Sequence, residues 1–228
     1  MRPRIICHMI STIDGKIDGA AFRKVTGAND YEKTAEELNS NAWICGRTTM
    51  QLHFADKDPF VSATNRAAGS QPVHVASQAD SYAIVVDTTG RLRWSEDNID
   101  GDHLICIVSE QATDDYLELL RSKGISYIVS GATAVDLLQA MDLLGLHFAV
   151  RNLLLEGGGH INGGFLQADL VDEVSLLIAP AIDGRSRIPA VFDGLGANWK
   201  ESVTLTLKSF EQLRSKVLWL RYEVVRAD

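Results

Sequence analysis

The chain has 228 residues, 46% hydrophobic and 23% charged, a balance that supports a sizeable core and excludes a disordered tail, a coiled coil and a fibrous repeat. Its 22 lysines and arginines are scattered along the length against 30 aspartates and glutamates, for a net charge of −8, which argues against nucleic acid as a partner. The longest apolar run, Val174 to Ala181, is interrupted by Ser175 and Pro180 and falls short of the roughly 18 to 20 residues of a membrane span, so no membrane partner is expected.

Arg4 to Ile10 is a dense apolar run of strand length. Thr26 to Asn41 predicts a helix, with Asn29 or Asp30 as N-cap and Glu32, Glu36 and Glu37 along it. Ala42 to Cys45 reads as a short buried strand, broken by a turn at Gly46-Arg47-Thr48-Thr49. The least regular part runs from His53 to Ser81, punctuated by Pro59, Gly69 and Pro72, with a strand candidate at Val73 to Ala76. Tyr82 to Val86 is a strand that ends at Asp87-Thr88-Thr89-Gly90, and an acidic loop follows from Ser95 to Asp102.

Further on come a strand from His103 to Val108, a helix from Thr113 to Lys123 stopped by Gly124, and a strand from Ser126 to Val129. Thr133 is the expected cap of a helix with Ala134, Leu137, Leu138 and Met141 on one face. Val150 to Leu155 is a buried strand leading into Glu156-Gly157-Gly158-Gly159, then a helix from His160 to Ala168 and a strand from Glu173 to Ala179. Two alternating segments, Val203 to Phe210 and Val217 to Val225, close the chain as an antiparallel pair. Strand–helix alternation with this ending predicts an α/β protein of three layers, αβα. Its sheet is mixed and mostly parallel, with antiparallel C-terminal strands, and residues 1–228 form one domain.

Three cysteines, Cys7, Cys45 and Cys106, each in an apolar strand, predict buried reduced thiols, and none has a partner at metal spacing. The start of the chain carries no signal-peptide pattern, so a cytoplasmic protein is expected. His8, set among apolar residues, is expected to be a satisfied core histidine. Trp43 and Trp219 are expected in the core, and Trp94 and Trp199 in loops at an interface.

Four segments carry possible chemistry. In Leu155-Glu156-Gly157-Gly158-Gly159-His160-Ile161-Asn162-Gly163-Gly164 a buried strand runs into a triple glycine and a helix. Such a run either holds an anion on backbone N–H groups and the helix N-terminus or provides a tight turn with close helix packing. Gly46-Arg47-Thr48-Thr49 follows another strand and opens a helical turn, and its arginine either grips a phosphate or is solvated in an ordinary turn. Asp87-Thr88-Thr89-Gly90 repeats the pattern, and in open α/β sheets ligands collect beyond the carboxyl ends of strands. Asp14-Gly15-Lys16 after the first strand is a turn from which Lys16 reaches a ligand.

Taken together, Ser11-Thr12-Ile13-Asp14-Gly15-Lys16-Ile17, the Gly46–Thr49 turn, and the stretch from Glu156 through Leu170-Val171-Asp172-Glu173 to Ala179-Pro180 resemble the reductase domain of riboflavin biosynthesis, of the dihydrofolate-reductase-like superfamily. The resemblance runs from about Arg4 to Val225. It implies hydride transfer from NADPH to a pyrimidine-type or pterin-like substrate, in a homodimer. It implies cofactor binding by Gly46, Arg47, Thr48, Thr49, Thr88, Gly157, Gly158, Gly159, His160, Ile161, Asn162 and Gly163, with Arg47 on the 2′-phosphate. It places Lys16 and Glu156 in catalysis, and Asp14, Thr26, Asp30 and Glu156 against substrate. The family's substrate-phosphate run is matched only at Asp58-Pro59, with Arg66 at the downstream arginine and Glu37 near the other. A dihydrofolate- or pterin-type reductase and a non-catalytic nucleotide-binding module are the alternatives.

Overall fold

Apolar runs of four to seven residues become strands close to the expected bounds, because each buries a row of branched side chains that only a sheet can flank on both sides. The computed structural model describes residues 1–17, 30–64, 72–196, 199 and 202–226. In chain order its elements are β1 (Arg4–Thr12), α1 (Asp30–Glu36), β2 (Ala42–Gly46), α2 (Arg47–His53), β3 (Val73–His74), β4 (Tyr82–Val86), β5 (Asn98–Ile99), β6 (Asp102–Val108) and α3 (Asp114–Ser122). There follow β7 (Ser126–Val129), α4 (Leu137–His147), β8 (Asn152–Leu155), α5 (Gly159–Gln167), β9 (Glu173–Ala179), β10 (Leu205–Gln212) and β11 (Leu218–Val224). Contacts divide the chain into two compact units, Met1–Pro3 with Asn41–Leu153 and Arg4–Ser40 with Leu154–Asp228.

In the first unit β2, β4, β6 and β7 run parallel, with β3 antiparallel on β7 and β5 antiparallel on β6. The register sets Gly46 beside Val86, Val86 beside Ile107 and Val108 beside Val129, so these strands end together at their carboxyl side. Val85, Cys106, Tyr116, Leu120 and Tyr127 form its core, and each such side chain contributes about 1.5–3 kcal/mol on burial. Trp94 belongs to this core and not to an interface, because the loop that carries it folds back over β6.

Gly46-Arg47-Thr48-Thr49 opens a helix, α2, as expected of a glycine and polar residues after a strand; Gly46 is its N-cap and the buried Met50 anchors it. One helix starts differently from expectation. Asp136, not Thr133, caps α4, its carboxylate accepting from Gln139 N at 3.0 Å. The buried face of α4 is therefore Ala140, Met141 and Leu144, while Leu138 is exposed.

In the second unit β1 lies parallel to β9, which pairs antiparallel with β11, and β11 with β10. The Glu173 carboxylate, buried at the start of β9, receives Arg4 at 2.9 Å, Lys208 at 2.8 Å and Arg221 at 2.6 Å, tying four strands across one row. The alternation expected of the last two segments fails for β10, where every residue is exposed, Phe210 included. His8 is the satisfied core histidine expected: Nδ1 meets Ser175 Oγ at 3.0 Å and Nε2 meets Tyr31 O at 3.2 Å. All three cysteines are buried thiols that form no disulfide.

Candidate active site

In the second unit, the chain leaves β1 in a turn built by its own polar side chains. Thr12 Oγ1 donates to Asp14 Oδ1 at 2.7 Å and accepts from Lys16 N at 3.0 Å, and Gly15 takes φ +77°, the left-handed region that favours glycine. Asp14 also accepts from Asp183 N at 3.0 Å and Gly184 N at 2.9 Å. The Thr12 hydroxyl, then these two N–H groups, hold its carboxyl well below the usual carboxylate range.

The turn is joined to a strap, Ile188 to Asp193. Lys16 pairs with Ala190 as an isolated antiparallel bridge, Ile17 N donates to Pro189 O at 3.0 Å, and Val191 N donates to Gly15 O at 3.3 Å. The Lys16 ammonium itself donates to Ile188 O at 3.2 Å. Among the described residues its head meets a carbonyl and no carboxylate, which leaves the charge available to a ligand.

The same strap lies on α5. A Cβ on Gly159 would stand 2.3 Å from Ala190 O, and one on Gly163 would stand 1.9 Å from Asp193 O. Asp193 N donates to Gly159 O at 2.9 Å, and Asn162 Nδ2 donates to Val191 O at 2.7 Å. Gly159 and Gly163 are therefore needed for close packing, the second of the two readings of the glycine run. Gly157 takes φ +87°, and Gly158 is the N-cap of α5 with no side-chain cap bond. The N–H groups of Ile161 and Asn162 both donate to Gly158 O. The turn thus brings Lys16 and the start of α5, which follows Glu156 closely in sequence, onto one strap.

In the first unit the carboxyl ends of β2 and β4 are neighbours. Arg47 and Thr48 are exposed at the first positions of α2, with Thr49 half-buried beside them. After β4 the Asp87 carboxylate, wholly buried, accepts from Arg91 N at 2.6 Å and Leu92 N at 2.7 Å through Oδ2. Thr88 O accepts from Ser109 N at 2.9 Å and from its hydroxyl at 2.8 Å. Gly90, at φ +67°, lies under the Tyr116 ring, where a Cβ would sit 2.4 Å from Cδ1. This fixes Thr88 just past the end of β4, whose last residue, Val86, lies beside Gly46. An exposed guanidinium with threonine hydroxyls suits the phosphates of a dinucleotide, and so do an α5 N-terminus without a side-chain cap and a glycine at positive φ.

Thr26 and Arg66 lie outside the described residues. Asp30 begins α1, and its carboxylate accepts from Ser215 Oγ in the turn between β10 and β11, which ties it to the hairpin. The strap is what the sequence reading missed. Its available signal was length: β9 ends at Ala179 and β10 begins at Leu205. Connections longer than about 12 to 15 residues in a compact protein are usually functional.

Residues 3–219 match the family model described as the RibD C-terminal domain. A 2,5-diamino-6-ribosylamino-4(3H)-pyrimidinone 5′-phosphate reductase of Methanothermobacter thermautotrophicus is 32% identical over 213 residues, covering 91% of this chain and 92% of the relative. A protein of the same name from Aquifex aeolicus is 32% identical over 122 residues, 53% of this chain and 54% of its own. Among solved structures, a pyrimidine reductase-like protein of Corynebacterium diphtheriae superposes with a TM-score of 0.73 at 17% identity, covering 99% of this chain and 93% of that one. The fold likeness agrees with the dihydrofolate-reductase-like class expected from the motifs. The chain belongs to the family of the RibD C-terminal domain.

Proposed function

We propose that the protein is an NADPH-dependent reductase of riboflavin biosynthesis acting on a pyrimidine-type substrate, 2,5-diamino-6-ribosylamino-4(3H)-pyrimidinone 5′-phosphate or its close analogue. The observation that carries this reading is family membership through nearly the whole chain, with a reductase of that name 32% identical across nine-tenths of both sequences. NADPH supplies the hydride when bound. In the first unit Arg47 takes the 2′-phosphate in its planar fork, with Gly46, Thr48, Thr49 and Thr88 lining the strand ends. In the second, the N–H groups of Gly157, Gly158, Gly159 and His160 receive the pyrophosphate at the α5 N-terminus. Lys16, held by Ile188 O, offers a proton to the substrate, and Glu156 orients it.

The single family model running through both units supports reading residues 1–228 as one reductase domain. No helix among the described residues is long and apolar enough to cross a membrane, in keeping with a cytoplasmic enzyme. The exposed β10 edge supports a homodimer. The test is loss of nicotinamide absorbance with purified protein, offering NADPH or NADH and the pyrimidinone phosphate or dihydrofolate. Turnover of NADPH with the pyrimidinone phosphate is expected, and Arg47→Ala raises KM for NADPH by about 10- to 100-fold, the worth of a charge-assisted hydrogen bond. Turnover of dihydrofolate alone moves the acceptor, and no oxidation with either overturns the reading.

A further inference from the structure

We infer that Asn162 is a positioning residue: its buried amide clips the Ile188–Asp193 strap to α5, and the strap in turn holds Lys16 in place. The inference rests on the role proposed above for Lys16. It also withdraws Asn162 from the set of cofactor ligands.

Both donor groups of Asn162 are engaged within the protein. Its side chain has no solvent exposure, Nδ2 donates to Val191 O at 2.7 Å, and its backbone N–H donates to Gly158 O at 3.2 Å. Oδ1 is buried without a protein partner among the described residues. A buried acceptor left unpaired is destabilising by itself, so an amide here needs a reason that leucine could not meet. The reason is Val191 O. Gly159 and Gly163 carry no side chain, so the strap approaches the α5 backbone on either side of this point, at Ala190 and Asp193. Between those two contacts the Asn162 amide is the side-chain donor that meets the strap.

The strap's other edge is bonded to the Lys16 turn. Ala190 bridges Lys16, Pro189 O accepts from Ile17 N, and Gly15 O accepts from Val191 N. Val191 thus bonds Asn162 through its carbonyl and the Lys16 turn through its N–H. Ile188 O, three residues earlier, is the acceptor of the Lys16 ammonium. Releasing Val191 O from Asn162 frees the middle of the strap and lets that acceptor drift. Cofactor affinity does not pass through this route, whereas the proton-holding group does.

The experiment compares wild type, Asn162→Ala, Asn162→Asp and Asp193→Ala by three readouts. These are amide hydrogen exchange at Ile17 and Val191 without ligand, Kd for NADPH by fluorescence titration, and kcat with the pyrimidinone phosphate. Asn162→Ala is expected to speed exchange at both amides and lower kcat by about 10-fold each, the effect of one hydrogen bond, with Kd for NADPH within about 3-fold. Asn162→Asp behaves like alanine at neutral pH and regains kcat relative to wild type as pH falls, because the protonated acid again donates to Val191 O. Asp193→Ala, which removes the acceptor of Ala190 N from the strap side, gives the same pattern without altering α5. If Asn162→Ala does not fold, the other two variants decide. A 10-fold rise in Kd with exchange unchanged would make Asn162 a cofactor ligand and overturn the inference. Faster exchange with unchanged kcat overturns it as well. Absence of turnover in wild type would sink the proposed function alone, and slower or unchanged exchange in the variants would still refute the clip.

Discussion

In the first unit Asp87 accepts the N–H groups of Arg91 and Leu92 at 2.6 and 2.7 Å from a position with no solvent exposure. In the second, Asp14 accepts those of Asp183 and Gly184 at 3.0 and 2.9 Å from the surface. Each carboxylate follows the end of a strand, β4 or β1, and shapes the turn that carries a proposed ligand-binding residue, Thr88 or Lys16. The device is shared, and the surroundings differ. Around Asp87 water cannot replace a lost acceptor, so the bonds carry the full desolvation cost of the groups they satisfy. Around Asp14 water can take over, so its bonds set geometry more than stability.

The comparison breaks most directly at Asp87. Asp87→Ala strands the buried Leu92 N–H and the partly buried Arg91 N–H, and it opens a space beside the Tyr116 hydroxyl, 3.4 Å from Oδ2. A loss of about 2 to 4 kcal/mol is expected, because each N–H left without a partner costs about 1 to 3 kcal/mol and that of Leu92 is fully buried. Urea unfolding would measure it, and a loss under about 1 kcal/mol would show that burial does not give this carboxylate its weight.

His8 sharpens the same point with a titration. Burial first, and Arg221 in addition, push its imidazole down to about 4, against the opposing hydrogen bond to Tyr31 O. The folded value lies below the unfolded one near 6.5, so the unfolded chain binds the proton first as pH drops. Stability from this group is full above about pH 6.5 and is lost progressively as pH falls to about 4, by about 3 kcal/mol in all. Unfolding free energies across that window should fall more steeply for wild type than for His8→Gln. Equal slopes would mean that the histidine titrates in the folded protein as it does in the unfolded chain.

Gly163→Ala tests packing in place of charge. The new Cβ would stand 1.9 Å from Asp193 O, and a backbone carbonyl yields less readily than a side chain. Overpacking of roughly 1–3 kcal/mol opposes the gain of about 1 kcal/mol from replacing a helical glycine. A net loss of up to about 2 kcal/mol is expected, together with a fall in kcat as the strap lifts. A variant as stable as wild type with full activity would show that the strap tolerates displacement.

These contrasts also explain how much the sequence disclosed. Tyr82–Val86, Ser126–Val129 and Glu173–Ala179 were legible to the residue, because buried strands need unbroken apolar runs and turn residues end them. The strand ends at Gly46 and Asp87 and the glycine run were legible for the same reason, since each interrupts such a run. The strap was not. Its attachments at Ala190, Pro189 and Val191 are backbone hydrogen bonds to residues far away in the chain, and backbone bonds leave no side-chain pattern. The helical turn that Gly46-Arg47-Thr48-Thr49 opens was legible from a glycine and polar residues after a strand, whereas its anchor, the buried Met50, was not. Trp94 looked like an interface residue because the acidic residues after it advertise a solvated loop, while its own ring packs inward.

Asp14→Ala is expected to give the smallest change and the most specific one. The Asp183 and Gly184 N–H groups are exposed and pass to water, and the buried Thr12 hydroxyl has a second acceptor in Lys16 O at 3.4 Å. The fall in Tm at neutral pH should therefore be far below that of Asp87→Ala. Because the folded carboxyl sits below its ordinary value, whatever stability it gives is present above the usual carboxylate range near pH 4 and lost as pH falls beneath it. Wild type and variant should converge on acidification. Activity should separate them instead: the Ala181–Gly184 end of the segment is released from the turn that carries Lys16, so kcat drops while the melting curve barely moves. A melting shift as large as that of Asp87→Ala would remove the distinction between the two carboxylates. An unchanged kcat would mean that Lys16 is held from the strap side alone, through Ile188 and Ala190.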